Sequence, residues 1–229
     1  MGMHASREDY QRFHATRRRT MLELLREHIS HVLERGLDVG GGGDVADLGR
    51  PLQENFVTRL YAVDQGEDVE AGRARGVQTE TCDIDREPLP FPSEFFDLVL
   101  FASVIEHLYN PRFARNEIER VLRPGGWLVL EAPNAVSLGR RLDALAGHNP
   151  FRWFNEYNAL SDKAPMEYCS VFYTAEEAES LLEDRFELVA RRYAMHNPPV
   201  NPLKGLLRST AAALNPRLSD CFFLLARRR

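Results

Sequence analysis

LDVGGGGD, the stretch at residues 37–44, places four consecutive glycines directly after a short apolar strand pattern. A glycine-rich turn between a strand and a helix lets a ligand approach the backbone closely, because glycine has no side chain and tolerates positive φ. Such a turn is typical of α/β domains that bind a nucleotide-like ligand. A flexible turn without a ligand is the alternative interpretation of the glycines alone.

Strand and helix patterns alternate on both sides of this turn. Apolar residues recur every three or four positions over residues 8–35, which predicts an amphipathic helix. A capping box begins another helix at Thr174, and Asn110 is placed to cap a third. Apolar runs predict strands at residues 37–39, 60–63, 77–82, 97–101 and 127–130, a turn at 124–126, and closing strands at 186–191 and 221–226.

This alternation predicts an α/β fold: a doubly wound, Rossmann-like, seven-stranded and mostly parallel sheet with flanking helices and a small lid. A chain of 229 residues suits one domain with insertions. We expect that domain to comprise an N-terminal helical lid (1–35), a cofactor-binding core (36–133), an acceptor-side insertion (134–172) and closing helices and strands (173–229).

The net charge and the cysteine content argue against several classes of protein. The net charge of −5 argues against bulk nucleic-acid binding, which usually requires a basic surface. We interpret the arginine runs at 17–19 and 227–229 as a solvated helix face and a frayed tail, and contact with an anionic partner is the alternative. Three widely spaced cysteines argue against a disulfide framework or a zinc site. With no signal peptide and no apolar stretch long enough to span a membrane, we expect a cytoplasmic protein.

Two ligand classes are compatible with the glycine turn. Residues 41–46 satisfy the G-x-G-x-x-A spacing of dinucleotide-binding proteins, and Asp64 lies where a ribose-binding acid is expected. A dinucleotide would place its pyrophosphate beside Asp44, which would repel it. S-adenosylmethionine has no phosphate, and its sulfonium and ammonium groups are cationic. The acidic residues Asp38 and Asp44 therefore favour S-adenosylmethionine.

The glycine turn resembles motif I, D-x-G-x-G-x-G, of the class I S-adenosylmethionine-dependent methyltransferases, with Asp44 at the position of the third glycine. Further stretches extend the resemblance over about residues 36–190. They are VD at 63–64, DID and PLPFP within 83–92, FFDLV at 95–99, VIEHL at 104–108 and VLRPGG at 121–126. The combination implies a methyltransferase that binds S-adenosylmethionine and methylates a small-molecule acceptor.

The resemblance also implies which residues contact the methionyl part of the cofactor. Asp38 would hold its ammonium group, and Gly40 and Gly42 would bring backbone against it.

The remaining cofactor contacts would come from the next strand ends. Asp64 would accept hydrogen bonds from both ribose hydroxyls, and Asp83 from the adenine amino group, with Ile84 beside the ring. Ala102 and Ser103 would line the cofactor near its sulfur. The alternatives are a plain turn residue for Asp64, a solvated acidic loop for Asp83 and strand-end packing for Ala102 and Ser103.

The dipeptide Glu106-His107 raises the question of a metal. Metal-dependent members of the family carry an E-x-x-E-H motif and a later histidine, whereas Ser103 and Cys169 stand at the first and last of these positions here. We therefore predict no metal site. His107 is the candidate general base, since histidine titrates near neutral pH, and a structural role is the alternative.

The acceptor site should lie outside these motifs, in the N-terminal helix and the insertion at 134–172. Both carry aromatic or polar side chains that suit a planar, lipid-like or sugar acceptor, or alternatively a small satellite core: Tyr10, Phe13, His14, Phe151, Trp153, Phe154, Tyr157 and Tyr168. The alternative functions are a non-catalytic cofactor-binding relative and a nicotinamide-dependent oxidoreductase. The acceptor, the accepting atom and the oligomeric state are left open.

Overall fold

The computed structural model describes residues 7–41, 48–65, 67–74, 76–151, 171–195 and 202–229. The elements in chain order are α1 (Arg7–His28), β1 (Leu33–Val39), α2 (Gly49–Asn55), β2 (Val57–Asp64), α3 (Glu67–Ala74), β3 (Gln78–Thr81), β4 (Phe96–Ala102), α4 (Pro111–Val121), β5 (Leu122–Pro133), α5 (Leu138–Leu145), α6 (Ala175–Leu182), β6 (Phe186–Ala194), α7 (Pro202–Leu214) and β7 (Cys221–Arg228). Short 3₁₀ turns lie at Ile105–His107 and Pro216–Leu218.

The strands form one seven-stranded sheet in the order β3-β2-β1-β4-β5-β7-β6. Strands β1 to β5 pair in parallel, and β7 runs antiparallel to both of its neighbours. The chain order reverses between β1 and β4, which is the switch point where ligands bind in open α/β sheets. The prediction of a doubly wound, mostly parallel, seven-stranded sheet is confirmed.

Helices cover the sheet on both faces, so its central strands are apolar on both sides. In β4, Val99 and Phe101 belong to one buried cluster, while Leu98 and Leu100 belong to the other. Helix α1 contributes Met21, Leu24 and Leu25 to the second cluster. A continuous apolar run therefore forms a strand here because each face of the sheet packs against its own layer.

Several local predictions are confirmed in detail. The Asn110 side chain caps α4 by accepting from the Phe113 backbone N–H, and Thr174 with Glu177 forms the predicted capping box of α6. Strands β6 and β7 form the predicted closing pair. Among the described residues, no helix has the length and apolar content needed to cross a membrane.

Three local predictions are wrong: one of a helix end, one of a turn and one of a frayed tail. The first helix ends at His28 rather than near residue 35, and Leu33 opens β1, where its N–H donates to the Phe56 carbonyl. The predicted turn at 124–126 is a bulge within β5, because β4 residues two apart pair with β5 residues five apart. The C-terminal arginines are not a frayed tail: Arg227 lies in β7, with its guanidinium 4.8 Å from the Trp127 ring centroid.

Asp97 fixes the start of β4 against β1, at the sheet edge opposite the glycine turn. Its carboxylate is 4% exposed and accepts from the backbone N–H groups of Glu34 and Arg35, each at 2.8 Å. Arg123 pairs with the same carboxylate at 2.6 Å. The acid of the FFDLV motif therefore has a structural role.

Replacing Asp97 by alanine should lower the free energy of unfolding by about 2–4 kcal/mol, because two backbone donors and a guanidinium lose their acceptor. Urea denaturation measures this effect. The control is Glu34→Ala, which removes an exposed ion pair to Arg59 and should change stability by less than about 1 kcal/mol. Equal stabilities for the two variants would contradict the structural role of Asp97.

Candidate active site

Polar side chains meet at the edge of the sheet where β1, β2, β4 and β5 end. Asp38 precedes the glycine turn, Asp64 ends β2, and the turn after β4 begins at Ser103. Glu131 lies beside Ala102 in the ladder between β4 and β5. The sequence-predicted residues Asp38, Ala102 and Ser103 are thus brought to neighbouring strand ends.

The glycine turn leaves β1 with no space for side chains. Gly40 has φ of +74°, and a Cβ atom on it would lie 2.5 Å from Cγ2 of Val104. A Cβ on Gly41 would lie 2.2 Å from the carboxyl carbon of Asp38, which is itself 4% exposed. The turn therefore packs against the Asp38 carboxylate on one side and the β4 turn on the other, which explains why two successive glycines are required.

The ends of β2 and β3 place the predicted ribose and adenine residues. Asp64 is half-buried, and its carboxylate accepts from the Gln65 N–H at 2.8 Å. Asp83 is half-buried and accepts from the Asp85 N–H, while Ile84 is buried in the core. Asp85 accepts from two backbone N–H groups at residues 109–110, so it ties this loop to the start of α4.

A buried polar network joins α1 to the ends of β4 and β5. Nη2 of Arg17 donates to Oε2 of Glu131 at 2.8 Å and to the hydroxyl of Ser103 at 2.9 Å. The Ser103 hydroxyl donates in turn to the same Glu131 oxygen at 2.9 Å. Arg17 is 5% exposed and Glu131 1% exposed. The interpretation of the arginine run at 17–19 as a solvated face is therefore wrong for Arg17.

Ser103 has an uncommon backbone conformation, with φ of +55°. Its N–H donates to the Glu131 carbonyl at 2.9 Å, so β5 holds both its backbone and its side chain. A positive φ in a residue other than glycine persists only where the surroundings enforce it, and such residues concentrate at functional sites. The position where the sequence predicts a contact near the cofactor sulfur is thus rigidly held.

Glu106 is a second buried carboxyl group in this turn. It is 2% exposed, and burial, followed by the nearby charge of Glu131, raises its pKa to about 8. A hydrogen bond from its own backbone N–H lowers the pKa to a smaller extent, as do the guanidinium groups of Arg17 and Arg140. Within the described part of the chain, Oε2 of Glu106 has no hydrogen-bond partner. His107, the sequence-predicted base, is half-buried beside it in the same 3₁₀ turn.

The acceptor-side segment approaches the site through its two ends. The Phe151 and Phe172 rings stack with centroids 4.1 Å apart, and the Arg140 guanidinium lies 5.2 Å from each centroid. The Val171 N–H donates to the Glu106 carbonyl at 3.1 Å. Phe151, predicted as an acceptor-stacking residue, therefore packs against Phe172 and holds the two described ends of this segment together.

Other predicted residues lie outside the described residues. These are Gly42, Trp153, Phe154, Tyr157, Tyr168 and Cys169, together with the side chains of Tyr10, Phe13 and His14. In the part of the chain that the structure describes, no three His, Cys, Asp or Glu side chains are grouped to hold a metal. The absence of a metal site and the role of His107 as a base stay predictions.

Sequence reasoning missed Arg17 and Glu131 as site residues, and it considered Glu106 only as a possible metal ligand. Glu131 did give a signal, since it interrupts the apolar run WLVLEAP of a strand that should be buried on both faces. Arg17 gave none, because a buried arginine and a solvated one have the same neighbours in an amphipathic helix pattern.

The fold and the acidic glycine turn at the switch point define a Rossmann-like domain for a nucleoside ligand with cationic groups. Residues 37–130 match the methyltransferase domain family. For these residues, the match confirms the resemblance to the class I S-adenosylmethionine-dependent methyltransferases seen in the sequence. The match gives no support to the nicotinamide-dependent alternative.

One relative in sequence and two solved structures with a similar fold are the following. A ubiquinone biosynthesis O-methyltransferase from Rhizobium rhizogenes is 25% identical over 168 residues, covering 72% of this chain and 64% of the relative. The N-methyltransferase NodS from Bradyrhizobium japonicum, solved with S-adenosyl-L-homocysteine, has a TM-score of 0.57 at 18% identity and covers 94% of this chain and 87% of NodS. The [4+2]-cyclase SpnF has a TM-score of 0.58 at 19% identity, covering 91% and 79%. The chain spans about half the length of the curated relatives it matches.

Gly40→Ala should destabilise the protein more than Gly147→Ala, by about 1 kcal/mol or more. Both residues have positive φ, so alanine costs about 1–2 kcal/mol at either position, but a Cβ on Gly147 meets no atom within 4 Å. A double-mutant cycle with Val104→Ala checks the cause by urea denaturation. Removing the Val104 methyl groups should recover part of the Gly40→Ala loss, and purely additive effects would exclude the contact as its source.

Proposed function

We propose that this protein binds S-adenosylmethionine at the carboxyl edge of β1 to β4 and transfers its methyl group to a small-molecule acceptor. The observation that carries the proposal is the match of residues 37–130 to the methyltransferase domain, with its acidic residues converging at that edge. When bound, the cofactor supplies an electrophilic methyl carbon on a cationic sulfonium.

The residues present fit such a cofactor. The turn at Gly40 and Gly41 forms a cradle that a Cβ atom would fill, as close approach of a ligand to the backbone requires. The ionisable groups along the edge are mainly carboxyl groups, at Asp38, Asp64 and Glu106, which suits the ammonium and sulfonium charges and opposes a phosphate.

We assign the cofactor contacts as follows. Asp38 holds the ammonium group, and the backbone of Gly40 and Gly42 lies against the methionyl part. Asp38 precedes the turn and its carboxylate is buried against Gly41, which supports this assignment.

The ribose and adenine contacts lie at the ends of β2 and β3. Asp64 accepts from the ribose hydroxyls, and Asp83 and Ile84 read the adenine. Ala102 and Ser103 line the cofactor near its sulfur. The parallel pairing of β1 with β2 and β4 supports this arrangement, because it brings these strand ends together along one edge.

We propose that residues 134–172 supply most of the acceptor site. One described end of this segment meets the β4 turn, since the Val171 N–H donates to the Glu106 carbonyl, and Phe151 at the other end stacks on Phe172. Several relatives are named for ubiquinone biosynthesis, which supports a small organic acceptor.

We also propose that the protein is cytoplasmic. The two described cysteines, Cys82 and Cys221, are free and buried, which supports this location.

Label transfer tests the proposal. Purified protein is incubated with methyl-labelled S-adenosylmethionine and a small-molecule extract of the source organism, and labelled products are identified by mass spectrometry. A labelled small molecule that depends on the protein is expected. Tight cofactor binding without label in any fraction would instead favour a non-catalytic cofactor-binding relative.

Asp64→Ala should weaken binding of both S-adenosylmethionine and S-adenosylhomocysteine by about 1–3 kcal/mol, because the ribose donors lose a charged acceptor. Calorimetric titration measures both affinities. Asp68→Ala, which removes an exposed carboxylate on the following helix, is the matched control and should bind as the wild type does. If Asp64→Ala also kept wild-type affinity, Asp64 would be only a turn residue.

Methyl transfer should survive treatment with EDTA. Ser103 and Cys169 replace two ligands of metal-dependent relatives, and the Ser103 hydroxyl is engaged by Arg17 and Glu131. The label-transfer assay is repeated with excess chelator, followed by addition of Mg²⁺ or Mn²⁺. Loss of turnover that either ion restores would contradict this prediction.

A further inference from the structure

The 3₁₀ turn after β4 connects the glycine turn to the acceptor-side segment. On one side, Val104 packs so closely on Gly40 that no side chain fits between them. On the other side, the Glu106 carbonyl accepts from the Val171 N–H. Glu106 therefore lies between the part of the chain that the proposed function assigns to the cofactor and the part that it assigns to the acceptor.

The Glu106 carboxyl is surrounded by charged or ionisable groups from several elements. Glu131 faces it from β5, Arg17 from α1 and Arg140 from α5. Tyr173, in the segment before α6, is close enough that the charge of Glu106 contributes to raising the pKa of Tyr173. His107 neighbours it in the same turn. Arg17 already pairs with Glu131 at 2.8 Å, and Arg140 donates to the Asn134 carbonyl.

A buried carboxyl oxygen without a hydrogen-bond partner is costly, and it is kept in a protein for a reason. Oε2 of Glu106 is such an atom among the described residues, and the side chain is 2% exposed. Its neighbours Ile105 and Leu108 are the residues of this turn that belong to the buried apolar cluster. A ligand that carries a proton or a positive charge would satisfy this oxygen.

We propose that Glu106, in place of the sequence-predicted His107, is the base of the methyl-transfer reaction and that the acceptor is a small molecule with a hydroxyl group, whose proton passes to Oε2 of Glu106. This inference rests on the proposed function. The acceptor oxygen forms a bond to the methyl carbon as the carbon–sulfur bond breaks. The electron pair of the broken carbon–sulfur bond stays on sulfur. The hydroxyl proton moves to the Glu106 carboxylate. A base is required because an alcohol or phenol oxygen otherwise retains its proton.

The charges in the site explain why a buried carboxyl suits this task. Burial and Glu131 keep most Glu106 carboxyls protonated at neutral pH in the free protein. A nearby sulfonium favours the ionised form, so cofactor binding should expel the proton. Methyl transfer removes the sulfonium charge, and the proton affinity of Glu106 rises again as the acceptor proton becomes available. The buried site stays neutral before and after the reaction.

Comparing the two cofactor forms tests this inference without an acceptor. S-adenosylmethionine and S-adenosylhomocysteine differ in the sulfonium charge, so calorimetry at pH 7 in phosphate and in Tris buffer gives the protons released by each. Wild-type protein should release up to about 0.9 proton more with S-adenosylmethionine, which is the protonated fraction for a pKa of about 8. Glu106→Gln should abolish that difference, while Glu176→Gln, an exposed carboxylate on α6, should keep it.

A second measurement needs no variant. Proton release on binding means that affinity increases with pH until Glu106 is already ionised in the free protein. The ratio of S-adenosylmethionine to S-adenosylhomocysteine affinity should therefore rise by up to about 50-fold between pH 6 and pH 8 and level off above about pH 9. Binding of both ligands with a constant ratio would overturn the role of Glu106 alone. Binding of neither ligand would overturn the proposed function as well.

The label-transfer assay examines the acceptor proton directly. Glu106→Gln should lower turnover at least about 100-fold while its S-adenosylhomocysteine affinity stays within about twofold of the wild type. The labelled product should carry its methyl group on oxygen. Full turnover in Glu106→Gln, loss of turnover only in His107→Gln, or a methyl group on carbon or sulfur would overturn the proposal.

Discussion

The buried ion pair between Arg17 and Glu131 is the interaction on which the candidate active-site edge of this protein depends. Each side chain is almost fully excluded from water, and an unpaired charge at either position would cost several kcal/mol. Satisfying both charges fixes α1 against β5. The same two side chains hold the Ser103 hydroxyl, and Ser103 begins the turn that carries Glu106 and His107. The position of α1 and the geometry of that turn are therefore set together.

The architecture could be predicted from the sequence because it follows from alternating patterns. Apolar runs such as that of β4 predict strands buried on both faces, and the glycine turn marks the switch point between β1 and β4. Glu131 and Arg17 could not be paired in advance, since they lie 114 residues apart and nothing in either local pattern specifies the other. The predicted helix and turn boundaries were wrong where tertiary contacts decide them. The Leu33 N–H, for example, donates to the Phe56 carbonyl just before β2 instead of continuing a helix.

The candidate site could also be predicted only in part from the sequence. Asp38 and Gly40 were predicted from the motif, and the structure adds the reason for Gly41, which is the position of the Asp38 carboxylate. Asp83 and Asp85 look equivalent in the sequence, yet Asp85 holds the backbone of residues 109–110 while Asp83 faces its own loop. Residue type identifies candidates, but only the contacts separate a ligand-binding acid from a structural one.

A fold of this kind does not by itself determine the reaction, because the same domain serves different chemistries. Acidic residues at the strand ends explain affinity for a cationic cofactor and are equally useful to a protein that only binds it. The buried carboxyl of Glu106, in the turn between the segments proposed to bind the cofactor and the acceptor, is not needed for cofactor binding alone. Its ionisation is unfavourable without a cation and favourable with one, so the charge of the cofactor controls when the group is a base. Glu106 therefore links the identity of the cofactor to the chemistry of the acceptor.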